Sequence, residues 1–287
     1  MKNFFDKYII KNPKKVLLLL LVVIAFLGYY TTKLEIDASS ETLLLENDKD
    51  LKLTREINKR YDNRDILVIT FSPNYDLLSQ KSIDTVKAIS KDLEALARVE
   101  SVTSILNVPI LESPIREIKD LVDRVYLLED KEVDKNLVRK EFLSSPLYKN
   151  ALVSSDFKTM AIVANLLRDE KYFQFLDKRN SLVKKEQDKT ITKEEILELS
   201  KIKKEFKNYR DNLRVQEHQN IVEVRAILKK YDSEGKLFLG GVSMIADDIV
   251  GYVKSDLYIY GSTLVFILIF ILWIIFKEFI WVALAIL

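Results

Sequence analysis

The sequence lacks cysteine altogether and has a single histidine, His218, among 287 residues. Without thiols the chain forms no disulfides, has no thiol nucleophile and offers no cysteine ligands to zinc. A single imidazole excludes sites that need several histidine ligands and leaves little scope for histidine-based catalysis. We therefore predict that the protein is not an enzyme. We assign no catalytic, cofactor-binding or metal-binding residue from the sequence.

The sequence also lacks an excess of either charge, because its 45 Lys and Arg residues nearly balance its 43 Asp and Glu residues. The net charge is +2. A nucleic-acid binder driven by bulk electrostatics needs a basic excess that releases counterions. We therefore expect no nucleic-acid partner. Glycine and proline are few, 6 and 5 in all, and residues 168–231 contain neither. Such an uninterrupted stretch favours long helices.

Two long apolar runs lie near the ends of the chain. Residues 16–33 and 257–276 are predicted transmembrane spans, since a helix of about 20 apolar residues crosses a hydrocarbon core of about 30 Å. The first run could alternatively be a cleaved secretory signal. The bulky Tyr29 and Tyr30 stand where small residues would be needed for cleavage, which favours an uncleaved span.

The distribution of lysine predicts the orientation of these spans. Residues 1–15 carry five lysines and one aspartate, and we expect them to form a basic interfacial helix on the cytoplasmic side. Residues 34–256 then lie in the periplasm or another extracytoplasmic space. A further apolar run, 279–287, is expected to begin a third span. The predicted location is the inner cell membrane, and the chain is expected to be the N-terminal fragment of a multi-pass protein.

Residues 34–256 have their own apolar periodicity and are expected to fold as an α+β domain. Strands are predicted at 65–71, 99–106, 160–167 and 237–242, and a helix at 79–98. The first strand, the helix and the second strand predict a βαβ unit within a two-layer domain that has its helices on one face. The overall prediction is therefore transmembrane helices plus an extracytoplasmic α+β domain.

Residues 168–231 are predicted to form a helical hairpin inserted into this domain. Thr192 and Glu195 have the spacing of a capping box, which predicts a turn near 188–192. The apolar spacing that follows is that of a coiled-coil seam: Leu199, Ile202, Phe206, Tyr209 and Leu213. Three alternatives stay open at this point, namely helices packed on the domain, a projecting arm, or a disordered charged insert.

The segment before the second apolar run supplies the candidate functional residues, Asp247, Asp248, Lys254 and Asp256. One interpretation is a hinge that couples movement of the domain to the spans, and the alternative is a polar cap at the membrane interface. Gly240 and Gly241 are predicted to form a bulge or tight bend after the last strand. His218 is expected to be a surface residue.

Several segments in fixed order carry a resemblance to a known family. They are EIDASSETLLLENDKD after the first apolar run, then VESVTSILNVP, LVSSDFKTMAIV and GGVSMIADDIVGYVKSDL before the second. Together they resemble the first half of a resistance–nodulation–division (RND) superfamily transporter, in its MMPL and hopanoid-exporter-like branch. The resemblance implies a porter domain between the first two spans and proton-driven transport through acidic residues of later spans. Val16–Thr32 and Leu257–Phe276 contain no ionisable residue, so this chain is not expected to transport anything alone.

Three functional hypotheses follow. The first is an exporter whose porter domain handles a hydrophobic or amphipathic molecule, with membrane lipids as surroundings or substrate and a homo-oligomer or an accessory periplasmic protein as partner. The second is a membrane-anchored sensor with an extracytoplasmic ligand-binding domain. The third is an ABC-type permease with a large periplasmic domain, which would need a partner ATPase. The apolar run 279–287, only two residues after the second span, favours the first.

Overall fold

The computed structural model describes residues 13–31, 64–115 and 124–279, together with residues 53, 57 and 282. The chain divides into two units, one within Glu46–Asp247 and one made of Met1–Leu45 with Asp248–Leu287. We call the first the globular unit. The predicted interfacial helix at 1–15, except its last three residues, and most of the predicted third span lie outside the described residues.

Helices and strands alternate along the globular unit. The elements with defined bounds are, in chain order, α1 (Pro13–Thr31), β1 (Ile66–Pro73), α2 (Gln80–Glu94), β2 (Val99–Thr103), α3 (Lys135–Ser144), β3 (Met160–Leu166), α4 (Glu170–Gln187), α5 (Lys193–Lys230), β4 (Gly235–Gly240) and α6 (Val242–Phe276). The four predicted strands are confirmed, with ends displaced by a few residues. The helix α3 was not predicted from the sequence.

The four strands form one sheet in the order β2-β3-β1-β4, with every neighbouring pair antiparallel. Strands β1 and β2 are therefore parallel to each other but are separated by β3. The predicted βαβ unit is thus a split one, because β3 inserts between its strands. Strand, helix, two strands, helix and strand in this order is the ferredoxin-like arrangement, with α3 added between β2 and β3.

One face of the sheet carries the core. Leu67, Ile69 and Phe71 alternate along β1 and are fully buried. They belong to the same cluster as apolar residues of α2 and of the C-terminal part of α5: Ile83, Val86, Ile89, Leu93, Ile221, Val224, Ile227 and Leu228. The prediction of helices on one face of the sheet is confirmed. The side chains between these β1 positions point to the opposite face.

Gly241 makes the bend that joins the last strand to α6. Its φ is +143°, a conformation that favours glycine, and a Cβ built on it would lie 2.7 Å from the carbonyl oxygen of Ile66. The predicted bend is confirmed at this residue. The strand ends at Gly240, two residues before the predicted end, because the chain turns here into the helix.

The insert is a hairpin of α4 and α5 whose outer part projects. Residues 188–192 connect the two helices, and the capping box of Thr192 and Glu195 is formed as predicted. Leu182, Leu199 and Ile202 form a small core that is separate from the main one. Only the C-terminal part of α5 joins the main core, which favours the projecting arm among the three alternatives.

We call the hairpin of α4 and α5 the arm. An aromatic cluster lies between its two helices. The Phe206 ring centroid is 5.3 Å from that of Tyr172 and 6.0 Å from that of Phe175, and Tyr209 is 5.5 Å from Phe175. These distances are typical of favourable ring pairs. The predicted seam is therefore formed, with Leu199, Ile202, Phe206 and Leu213 buried.

The helix α6 runs without interruption over 35 residues, about 52 Å at 1.5 Å per residue. By length and composition alone it is long and apolar enough to cross a membrane, and none of its apolar window is buried. It is the one helix of the described residues for which this holds. Helix α1 coincides with the first predicted span over residues 16–31. Its assignment as a span stays a prediction, as does a multi-pass topology.

Candidate functional site

The four residues predicted to couple the domain to the spans do not form one cluster. No two of Asp247, Asp248, Lys254 and Asp256 are three or four residues apart on α6, the spacing at which helical side chains meet. Asp247 lies in the globular unit, and the other three belong to the second unit.

Asp247 instead contacts His218 on α5. The His218 Nδ1 lies 2.9 Å from Oδ1 and 3.0 Å from Oδ2 of Asp247, so this nitrogen donates to the carboxylate. The histidine side chain is 62% exposed and that of the aspartate 19%. The prediction of His218 as a surface residue is confirmed. Its pairing with a residue 29 positions away was not visible in the sequence, since it depends on how α6 leaves the sheet.

A cavity of about 430 Å³ lies at the end of the sheet where β1 ends and β4 begins. Its walls come from the end of β1, the loop towards α2, the turn before β3 and the start of β4. We call it the sheet-end cavity; its polar and aromatic lining residues are Ser72, Asn74, Tyr75, Asp76, Phe157, Lys158 and Lys236.

The turn before β3 holds Phe157 against this cavity in an unusual conformation. The Ser154 Oγ accepts hydrogen bonds from the backbone N–H groups of Lys158 (3.2 Å) and Thr159 (3.0 Å), which closes the turn. Phe157 has φ of +54° although its side chain is buried. This conformation costs a non-glycine residue about 1–2 kcal/mol. Burial of the ring offsets that cost, so the packing of the aromatic side chain holds the turn in place.

The acidic group of the cavity is already neutralised. An Arg139 Nη2 donates to Asp76 Oδ2 at 2.6 Å, and the Leu78 N–H donates to Oδ1 at 2.9 Å. These contacts, the arginine first, hold the pKa of Asp76 below its usual value. The same guanidinium lies 4.6 Å from the centroid of the Phe157 ring. Arg139 therefore ties the loop after β1 to the turn before β3.

The two lysines of the cavity are not neutralised in this way. Lys158 and Lys236 are exposed, and among the described residues neither ammonium group is within hydrogen-bond or ion-pair distance of a partner. Beside them, the Ser72 and Thr159 hydroxyl oxygens lie 2.7 Å apart. The arrangement can hold an anion, because two lysines and the Ser72 hydroxyl line a cavity whose carboxylate is already paired.

A second concavity, of about 330 Å³, lies between α2 and α5. Its floor is apolar, with Leu96 and Ile227 among the lining residues. Its charged rim is satisfied internally, since Lys230 Nζ and the Tyr231 hydroxyl lie 3.2 and 3.1 Å from Asp92 Oδ2. This groove therefore offers apolar surface, and the charges of its Asp92 and Lys230 are paired with each other.

Glu217, on α5 near the main core, is a carboxylate whose pKa is shifted. Burial raises the pKa of Glu217 above its usual value, and the nearby carboxylates Asp65 and Asp169 raise it further. Arg98 opposes the shift, with its Nη2 3.9 Å from Oε1 of Glu217. Asp169 also accepts a hydrogen bond from the Tyr209 hydroxyl, at 2.8 Å. The Arg98–Glu217 contact joins α5 to the segment between α2 and β2, and the Tyr209–Asp169 hydrogen bond joins α5 to the start of α4.

No group of three or more metal-ligating side chains is arranged to hold a metal within the described ranges. Comparisons with models of protein families, with curated proteins and with solved structures find no match to this chain. The resemblance to RND transporters therefore rests on the sequence segments themselves.

Two of those segments have a clear structural role. VESVTSILNVP forms β2 and a turn in which the Asn107 side chain accepts from Ser104 N–H at 2.8 Å and donates to the Val102 carbonyl. LVSSDFKTMAIV forms the turn of Phe157 and most of β3, which pairs with β2. The SSDFKT turn is thus the one part of the sheet-end cavity that a sequence segment marks. The residues of β1 and β4 that complete the cavity could not be predicted from that segment.

Proposed function

We propose that this chain is the part of an RND-type exporter that carries a porter domain, and that this domain handles a hydrophobic or amphipathic molecule. The observation that carries the proposal is the placement of a ferredoxin-like unit, in sequence, between two apolar helices, of which α6 is long enough to cross a membrane. Two of the family-like segments, VESVTSILNVP and LVSSDFKTMAIV, coincide with strands and turns of this unit, which also supports it.

The proposed topology places the N-terminus in the cytoplasm, residues 34–256 outside the inner membrane and residue 277 inside again. The absence of cysteine makes this testable with single introduced thiols. Ser155→Cys lies in an exposed turn of the globular unit, and Glu278→Cys follows α6. A membrane-impermeant maleimide applied to intact cells should label the first variant, and label the second only after permeabilisation. Equal labelling of both in intact cells would contradict two crossings.

The transport function needs a separate experiment in the source cell. Cells without the gene should retain a lipid or other amphipathic compound that wild-type cells release, as measured by mass spectrometry of the medium and outer membrane. The wild-type gene should restore release, and a gene with residues 64–241 deleted should not. A membrane-anchored sensor predicts unchanged release with altered transcription. An ABC-type permease predicts that release also requires a partner ATPase.

A further inference from the structure

Among the described residues, the second face of the sheet is partly exposed and carries both apolar and small polar side chains. Val68 pairs with Val163 and Gly240, and Thr70 pairs with Ala161 and Phe238, so these side chains share the face opposite the core. Phe238 is 65% exposed on it. We call this surface the open sheet face; its apolar members are Ile66, Val68, Val163 and Phe238.

The open sheet face continues directly into the sheet-end cavity. Ser72 pairs with Lys236, one alternation beyond the pair of Thr70 and Phe238, so Lys236 lies on the same face two residues from the exposed ring. From Ile66 to Ser72 the face measures about 20 Å at 3.4 Å per residue. This face, apolar at Ile66, Val68 and Phe238 and hydroxylic at Thr70 and Ser72, therefore ends at a cavity lined by two exposed lysines.

We infer that the open sheet face and the sheet-end cavity form one binding site for an anionic amphiphile, a molecule with a carboxylate, phosphate or sulfate head and an apolar tail. The head lies between Lys158 and Lys236, and the tail lies along the strip past Phe238. Because Asp76 is paired with Arg139, its carboxylate does not pair with either lysine, and the carboxylate that lies near Lys158 is that of Asp156 in an exposed turn. The inference rests on the proposed function for the kind of molecule handled, and it adds the site and the sign of the head-group charge.

The strained turn at Phe157 gives a reason for the position of the Lys158 ammonium group. Phe157 combines a left-handed backbone with a buried ring whose centroid lies 4.6 Å from the Arg139 guanidinium, and Lys158 leaves the turn directly after it. A backbone held against its own preference points to a functional constraint at this corner. The apolar groove between α2 and α5 is a weaker candidate for an anionic head group, since its Lys230 is paired with Asp92.

The test uses the full chain in nanodiscs of phosphatidylcholine and a dodecyl phosphate that carries a photoactivatable diazirine on its tail. We expect cross-links to β1 and β4, identified by peptide mass spectrometry, and competition by unlabelled dodecyl phosphate. The double variant Lys158→Gln with Lys236→Gln should weaken labelling about tenfold. The matched control, Lys91→Gln with Lys229→Gln, removes two exposed charges from the helix layer and should leave labelling unchanged.

Phe238→Ser tests the tail separately, since this exposed ring contributes little to the core. It should weaken competition by dodecyl phosphate and leave that by inorganic phosphate unchanged. Three results would overturn the inference: equal competition by dodecyltrimethylammonium, competition by inorganic phosphate as strong as by dodecyl phosphate, or labelling indifferent to the lysine variant. The first would leave an apolar site without charge selection, and the second a free-anion site. If labelling behaves as expected but cells without the gene release all compounds normally, the site stands and the transport proposal fails.

Discussion

Glu141 on α3 provides a sharp test of how the loop after β2 is held. Its side chain is only 1% exposed, yet both carboxylate oxygens are satisfied. Oε1 accepts from the Leu111 N–H at 2.8 Å and Oε2 from the Glu112 N–H at 2.9 Å. Replacement by glutamine keeps the shape but turns one acceptor into an NH₂ donor that faces a backbone N–H.

The expected cost follows from these two contacts. One buried N–H left unsatisfied costs about 1–3 kcal/mol, and the remaining hydrogen bond weakens by about 1 kcal/mol because its acceptor is no longer charged. Removing a buried charge offsets part of this. We therefore expect Glu141→Gln to lower the free energy of unfolding of the globular unit by about 2–3 kcal/mol, a large part of the 5–15 kcal/mol of an ordinary domain.

Hydrogen exchange of the β1 amides, measured by mass spectrometry on the full chain in non-ionic detergent, reports this quantity, because β1 is central in the sheet. The matched control is Glu129→Gln, whose exposed carboxylate pairs with Lys87 at 2.9 Å and should contribute at most about 1 kcal/mol. A loss below about 0.5 kcal/mol for Glu141→Gln, or one equal to that of the control, would refute the assigned role of the two hydrogen bonds.

Three further predictions concern the bend, the arm and the pH dependence. Gly241→Ala should cost about 1–3 kcal/mol by β1 hydrogen exchange, since it combines φ of +143° with a Cβ 2.7 Å from a carbonyl oxygen; Gly251→Ala, which meets nothing within 4 Å, should leave β1 unchanged, and equal effects would contradict the bend. Thr192→Ala should lower the free energy of opening of the first turn of α5 by about 1 kcal/mol, which speeds amide exchange there. Unaltered exchange in that turn would argue against the capping box. Because the native pKa of Glu217 is raised, its folded form binds the proton more tightly, so stability falls as pH rises from about 4.3, the unfolded value, through the native pKa. Glu217→Gln should flatten that part of the pH profile measured by urea unfolding, and an unchanged slope would contradict the assignment.

Much of the candidate site lay beyond sequence reasoning for a specific reason. The predicted residues Asp247, Asp248, Lys254 and Asp256 were chosen for being near one another in the chain, but one helix separates them by spacings that do not bring side chains together. The sheet-end cavity joins Lys158 and Lys236, which are 78 positions apart and have no individual pattern. Only the pairing of β1 with both β3 and β4 brings them to one corner.

Local patterns determined the elements of this protein. Apolar runs bounded by turn residues located β1 to β4, the heptad spacing from Leu199 located the arm, and the Thr192 capping box located its turn, because each depends on interactions between residues close in the chain. The tertiary structure alone decided that β3 inserts between β1 and β2, that the arm projects, and that His218 meets Asp247. Those outcomes depend on which strand edges pair and which faces are buried, and such choices are made between segments far apart in the sequence.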